Sequence, residues 1–337
     1  MLLSPFIKLI KQGQRLTTIR TNALFKPFYQ LSFLAAAKQC GLMEALHDNP
    51  LSFDQLANTY CHDEKSREAL QAWLQLGSRL GLLQLTLAGY RLKGMALKLS
   101  QPENDSTLAL AQEVATLHHK LIMGTPGKLT RRQLWQLDDQ DGELTARSSR
   151  ALEVFQIEAI DRAFSATGDA RLLEIGCGSA IYIRHAATLN PSLQATGLEL
   201  QPAVAAVARQ NISNWGLEDR VSIETGDIRD RTAVAEFNYV TLYNNIYYFP
   251  VNERVDLLKR LKAFLKPGGK LVITTCCQCG NPGIEVLNLW GAATAGGGRL
   301  PDVEEMREQL IEAGFRQIEV IRLIPGDSFY AFVSCNE

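Results

Sequence analysis

The chain has 337 residues, enough for one large domain or two ordinary ones. Hydrophobic residues make up 46% and charged residues 21%, which excludes a disordered composition. The formal charge of -1 removes any chain-wide attraction to nucleic acid or to an anionic membrane. The charge is uneven, with 18 basic against 13 acidic residues up to Arg150 and 17 against 23 beyond it, or +5 and -6. The first 28 residues carry Lys8, Lys11, Arg15, Arg20 and Lys26 without an acid. The apolar run from Met1 to Ile10 is broken by Ser4, Pro5 and Lys8, so it does not read as a secretory signal. This segment reads as an arm that packs across a dimer, with a membrane surface as the alternative. No stretch has the roughly 18 uninterrupted apolar residues of a membrane span, so no integral membrane association is expected. Seven cysteines without an export signal predict reduced thiols, no disulfides and a cytoplasmic location.

In chain order, apolar residues at helical spacing predict a helix over residues 31 to 46, stopped by Asn49 and Pro50. Ser52 and Gln55 form a capping-box pattern ahead of FDQLANTY. A further helix over residues 63 to 80 sets Leu70, Trp73, Leu74 and Leu76 on its apolar side and ends at Gly81. Two short alternating runs joined by Ala88 and Gly89 then predict a hairpin. That order predicts a winged-helix domain over residues 1 to 105. Residues 106 to 165 read as a helical connector, interrupted at Gly124, Thr125, Pro126 and Gly127 and again in the acidic stretch 138 to 143. From residue 166 onward, seven aliphatic or β-branched runs alternate with amphipathic stretches, which predicts an α/β domain with a mostly parallel sheet covered by helices on both faces.

The chemistry concentrates where these runs end. LLEIGCGSA, residues 172 to 180, is an apolar strand leading into a glycine turn and a helix. Gly176 and Gly178 let backbone approach a ligand, and the helix start offers free N–H groups. Glu199 ends the next strand about 20 residues on, where a carboxylate can accept hydrogen bonds from two ribose hydroxyls. No glycine follows Gly178 until Gly197, which weighs against a pyrophosphate-binding dinucleotide fold. Gly226 and Asp227 end a third strand, suited to an adenine amino group, although a solvated turn aspartate has the same sequence. Asn244 and Asn245 end the fourth, placed to orient an acceptor, bind a cofactor amino group or simply cap a turn.

On Glu174, Gly176, Gly178, Glu199, Asp227 and the stretch LKPGGKLVI, residues 265 to 273, the sequence resembles the class I S-adenosylmethionine-dependent methyltransferases. The resemblance implies a Rossmann-like doubly wound seven-stranded sheet and S-adenosylmethionine as cofactor. It implies that the glycine turn lies against the methionine part, Glu199 holds the ribose and Asp227 reads the adenine. Cys177, Leu200 and Ile228, the neighbours of these positions, join the expected cofactor-binding set. Ala180 stands where many members have a third glycine, and only a slight shift of the turn is expected. The N-terminal winged helix, the connector and residues 295 to 315 look like the small-molecule O-methyltransferases, which extends the resemblance over nearly the whole chain. In that group the winged helix serves dimerisation and closes part of the partner's acceptor pocket. The helix over residues 63 to 80 balances acids and bases rather than presenting a basic face, so no nucleic-acid partner is expected.

The resemblance implies a histidine soon after the fourth strand as catalytic base, and here the chain departs from the family: Tyr247 or Tyr248 occupies that position. A phenol with a reference pKa of about 10 is a poor base near neutrality. The remaining candidates are His118 and His119 on the connector, of which at most one faces a pocket because adjacent helical residues diverge by about 100°. Methyl transfer needs mainly alignment, so an amine, an enolate-like carbon or an acidic phenol would suffice as acceptor without a base. Cys276, Cys277 and Cys279 lack a partner motif for zinc and read as packing, and no metal is expected. Trp290 and Phe155 read as either an aromatic acceptor wall or core. The expectation is a homodimeric methyltransferase acting on a small organic acceptor, with oxygen as the first choice. Carbon or nitrogen methylation and a non-catalytic cofactor-binding regulator are the alternatives.

Overall fold

The computed structural model describes residues 15–337. Residues 1–14, with the apolar run and Lys8 and Lys11 of the basic arm, lie outside the described residues. The chain divides into two compact units between Thr116 and Leu117.

The first unit is helical with one small hairpin. Its longest helix, Arg15–Gln39, starts far ahead of the expected helix and runs on past Pro27. The expected helix over residues 31 to 46 is broken instead at Gly41, whose φ of +79° leaves the right-handed helical region, before a short turn Leu42–Ala45. Helix Phe53–Tyr60 opens with the capping box expected from Ser52 and Gln55. Helix Glu64–Arg79 opens with a second one, built from Asp63 and Ser66. Strands β1 (Leu83–Thr86) and β2 (Gly89–Leu92) pair antiparallel, and Leu51 bonds the outer edge of β2 through Tyr90. Leu42, Leu56, Leu74 and Leu82, each at most 1% exposed, form the centre of this unit's core. Helix Asp105–Glu113, expected in the connector, packs here against Arg15–Gln39. The long helix leaves Leu24, Phe25, Phe28 and Tyr29 exposed.

The second unit holds a seven-stranded sheet formed by β3 (Ala170–Ile175), β4 (Leu193–Glu199), β5 (Val221–Thr225), β6 (Phe237–Tyr243), β7 (Leu265–Cys276), β8 (Arg316–Arg322) and β9 (Phe329–Cys335). The spatial order is β5-β4-β3-β6-β7-β9-β8, all parallel except β9, which runs antiparallel to both its neighbours. The central strands β3, β6 and β9 are near-continuous apolar runs because helices cover both faces, whereas the edge strands β5 and β8 carry polar, exposed residues. One face packs Val240-flanking residues such as Leu242 and Ile273 against Leu258 and Leu261 of helix Arg254–Phe264 and Met306 and Leu310 of helix Val303–Glu312. The other packs Leu172 and Val272 against Ile160 of helix Glu153–Ala163, Ile183 of helix Ile181–Leu189 and Ile212 of helix Pro202–Asn214. Each fully buried aliphatic side chain contributes roughly 1.5–3 kcal/mol relative to exposure.

The expected interruption at Gly124–Gly127 is overturned, since helix His119–Thr130 runs straight through it. A Cβ on Gly124 would collide with the Trp135 ring, and Trp135 donates its indole N–H to Thr125 Oγ1 at 2.9 Å. Glycine is there for close packing, not as a breaker. The acidic stretch forms a short 3-10 turn, Leu137–Asp139, and a helix, Gly142–Ser148, capped by Asp141.

Candidate active site

β3, β4, β5 and β6 end side by side, and the loops beyond them surround one cavity of about 320 Å³ that lies wholly within the second unit. After Ile175 the backbone turns through Gly176 at φ +66° and Gly178 at φ +54°, which glycine adopts at little cost. The amides of Gly176 and Cys177 both donate to Leu198 O, at 2.7 and 3.1 Å, and tie the turn to the end of β4. The Gly178 N–H donates to Glu199 Oε2 and the Gln201 N–H to Glu199 Oε1, each at 3.0 Å. Glu199 is thus fixed at the cavity edge by backbone donors while only 8% exposed. Ala180 occupies the left-handed region at φ +63° as the residue before helix Ile181–Leu189, so the turn a glycine would relax is held here by an alanine.

Asp227, just past β5, does not stand free. Its Oδ1 accepts from the Arg229 backbone N–H at 2.9 Å and from Nε at 3.0 Å, and its Oδ2 accepts from Nε at 3.0 Å and Nη2 at 2.6 Å. Hydrogen bonding from the Arg229 side chain holds the Asp227 carboxyl below its ordinary range. Past β6, Asn244 turns at φ +52° and its Oδ1 accepts from the Cys276 N–H at 3.3 Å. Asn245 Nδ2 donates to Ile175 O at 2.6 Å, which leaves its buried Oδ1 without a partner among the described residues.

Gly176, Cys177, Gly178, Glu199, Leu200, Gly226, Asp227, Ile228, Asn244 and Asn245 all line this cavity, as do Tyr247 and Tyr248. Glu174, expected in the cofactor-binding set, is not among the lining residues: it is 1% exposed, with Oε2 unpartnered among the described residues, and burial pushes its pKa well above the carboxylate range. His118 and His119 are not among the lining residues, and neither are Phe155, Trp290, Cys276, Cys277 or Cys279. Trp290 is buried beside Tyr247 in a core cluster, with Phe155 packed against it. Burial pushes the Cys276 thiol up to about 12 and Cys277 higher still, so both are inert packing thiols. All seven cysteines are free, and the described residues contain no group of side chains able to hold a metal.

Several lining residues were not singled out by sequence. Gln156, on helix Glu153–Ala163, accepts the Thr274 hydroxyl at 2.7 Å and leaves Nε2 unpartnered among the described residues. Tyr182 and Tyr243 meet edge to face at 5.4 Å, and burial raises both phenols, so they remain protonated donors. Tyr248 donates to Gln140 Oε1 at 3.2 Å, linking β6's loop to the acidic stretch. Thr294, Ala295, Gly296 and Gly297 also line the cavity. Arg254, fully buried, donates to Phe249 O at 3.2 Å and to Arg299 O at 2.5 Å, and so ties the stretch just after Gly297 to the segment that follows β6. The cavity wall includes no imidazole and no ammonium group, so neither offers a general base.

Residues 172–269 match the family described as a methyltransferase domain. Among curated relatives, an L-tyrosine C(3)-methyltransferase of Streptomyces lavendulae is 26% identical over 154 residues, covering 44% of this chain and 42% of its own length. A demethylspheroidene O-methyltransferase of Rhodobacter capsulatus is 26% identical over 157 residues, covering 46% of this chain and 38% of its own length. The match thus spans about two fifths of the length of each of these two relatives. Among solved structures, the mitomycin 7-O-methyltransferase MmcR superposes with a TM-score of 0.77 at 18% identity, over 97% of this chain and 100% of that one, which establishes the shared fold. The second unit thus has a Rossmann-like fold, within which residues 172–269 match a methyltransferase domain.

Proposed function

We propose that this chain transfers a methyl group from S-adenosylmethionine to a small organic acceptor, with oxygen as the receiving atom. The observation that carries this reading is the meeting of the β3 glycine turn, Glu199 and Asp227 around one cavity. The residues present fit such a cofactor. A Cβ on Gly178 would stand in open space at the cavity wall, Glu199 is fixed at its edge, and Asn245 Oδ1 and Gln156 Nε2 are an unpartnered acceptor and donor. In this reading Glu199 holds the ribose hydroxyls and Asp227 the adenine amino group. Asn245 and Gln156 serve the ammonium and carboxylate of the methionine part. When bound, S-adenosylmethionine supplies an electrophilic methyl on a sulfonium.

The chain's own contribution to the chemistry is position and dryness. Tyr182, Tyr243, Tyr247, Tyr248, Phe249 and Phe329 form an aromatic wall that excludes water and orients a flat acceptor. Without an imidazole on the wall, the acceptor enters already nucleophilic, as an acidic phenol, enolate or amine. That observation also supports a second reading, in which carbon or nitrogen receives the methyl. A winged-helix role in dimerisation for the N-terminal unit and a cytoplasmic homodimer complete the proposal. The exposed Leu24, Phe25, Phe28 and Tyr29 on helix Arg15–Gln39 support the dimer. No described helix is long and apolar enough to cross a membrane.

Calorimetry with S-adenosylhomocysteine tests the cofactor. The wild-type protein is expected to bind, and Glu199→Ala to lose at least about 100-fold in affinity, the lower bound for two charge-assisted hydrogen bonds. No binding by the wild-type protein rejects the reading. Methyl-labelled cofactor followed by product analysis distinguishes oxygen from carbon or nitrogen, and any turnover excludes a purely regulatory role.

A further inference from the structure

Arg229 makes an ion pair that fold stability does not explain. Its side chain is 53% exposed and its partner Asp227 lies two residues away. Such exposed pairs contribute at most about 1 kcal/mol, so no large stabilisation requires four hydrogen bonds here. What the pair does accomplish is geometric. Three donors make those four contacts: the Arg229 amide reaches Oδ1, Nη2 reaches Oδ2 and Nε is shared between the two oxygens. A carboxylate has about four lone-pair directions, so the Asp227 rotor is locked with acceptor capacity left for one further donor. The guanidinium also stands 5.8 Å from the centroid of the Phe249 ring. Phe249, Asp227, Ile228 and Arg229 all line the cavity. The loop beneath is itself pinned, since Arg260 donates to Ile228 O at 2.9 Å and to Arg231 O at 2.5 Å.

Resting on the cofactor reading above, we propose that Arg229 is a specificity-determining positioning residue: it clamps Asp227 so that the carboxylate accepts an exocyclic amino group and rejects a carbonyl at the same place. The selected ligand class is therefore the 6-amino purine nucleoside sulfide or sulfonium, as opposed to its 6-oxo counterpart. A carboxylate free to rotate would turn away from a carbonyl oxygen, whereas a clamped one meets it with like partial charge. The planar fork matters as well as the charge, because an ammonium at this site neutralises Asp227 without fixing its plane.

The test is calorimetric binding of S-adenosylhomocysteine and S-inosylhomocysteine to the full chain, for wild type, Arg229→Met and Arg229→Lys, with melting temperature as a fold control. Wild type is expected to favour the adenosyl compound by about tenfold or more, the cost of one unmet buried polar contact. Arg229→Met is expected to retain its melting temperature, to bind the adenosyl compound several-fold more weakly, and to discriminate less than about threefold. Arg229→Lys is expected to lie between them. If Arg229→Met discriminates as wild type does, the clamp is overturned while the cofactor reading stands. Wild type binding both compounds equally also overturns the clamp. Wild type binding neither overturns the cofactor reading and the clamp with it.

Discussion

Gly176 and Gly178 have similar backbone angles, yet alanine at the two positions is expected to fail in different ways. Both substitutions force a non-glycine residue into the left-handed region, at a cost of roughly 1–2 kcal/mol, offset by a few tenths of a kcal/mol through the stiffer unfolded chain. At Gly176 the new Cβ would also collide with Asn245 Nδ2, the donor to Ile175 O. Displacing that buried amide strands a carbonyl and adds about 1–3 kcal/mol, so Gly176→Ala should cost about 2–4 kcal/mol in all. At Gly178, which lines the cavity, the Cβ meets nothing within 4 Å, and we assign that open space to the cofactor. Gly178→Ala should therefore cost only about 1 kcal/mol of stability but weaken S-adenosylhomocysteine binding by about tenfold or more. Urea unfolding of the free proteins gives the first pair of values and calorimetry the second. Equal stability losses at the two sites, or unchanged affinity for Gly178→Ala, refutes the division between a packing glycine and a ligand-facing one.

Ala180→Gly should gain about 0.5–1 kcal/mol in the same urea assay, because it releases the strain at φ +63°. Glu174 gives a pH signature. Burial raises its folded pKa above the usual value of about 4.3, so its penalty is absent at acid pH and grows as pH rises from there toward the folded value. Glu174→Gln should therefore lose less stability than wild type between pH 5 and pH 8, and equal slopes in urea titrations refute this. Arg254→Ala should cost about 3 kcal/mol or more in urea unfolding, since it leaves Phe249 O and Arg299 O without their buried donor. A loss under about 1 kcal/mol refutes the anchoring role.

The sheet was readable because most strands are apolar or β-branched runs closed by turn residues, a signal that local sequence carries. LLEIGCG is the clearest case, since the run and the glycines that stop it are contiguous. The helix limits were not so readable. Gly124 and Pro126 look like breakers, and only the approach of Trp135 explains why a glycine sits inside a continuous helix. The same holds for Gly142, where a Cβ would collide with the Gln201 side chain some 60 residues on; the acidic stretch read as a mere interruption therefore turned out to wall the cavity. Arg229 carried a partial signal, two residues after Asp227, but nothing local says that a basic neighbour folds back on the acid. Gln156 had none, because its partner Thr274 is 118 residues away.

The placement of β9 governs how the far edge of the sheet can come apart. β8 has one neighbour in the sheet, β9, while β9 is flanked by both β7 and β8. The later strand of this hairpin is therefore the inner one, and β8 joins the sheet only through it. Any opening along the β7–β9 seam releases both strands from the rest of the sheet at once, while the β8–β9 pairing itself can persist. The last strand in sequence is thus the hinge pin of its corner, and a lesion within residues 329–335 should unfasten β8 without touching it.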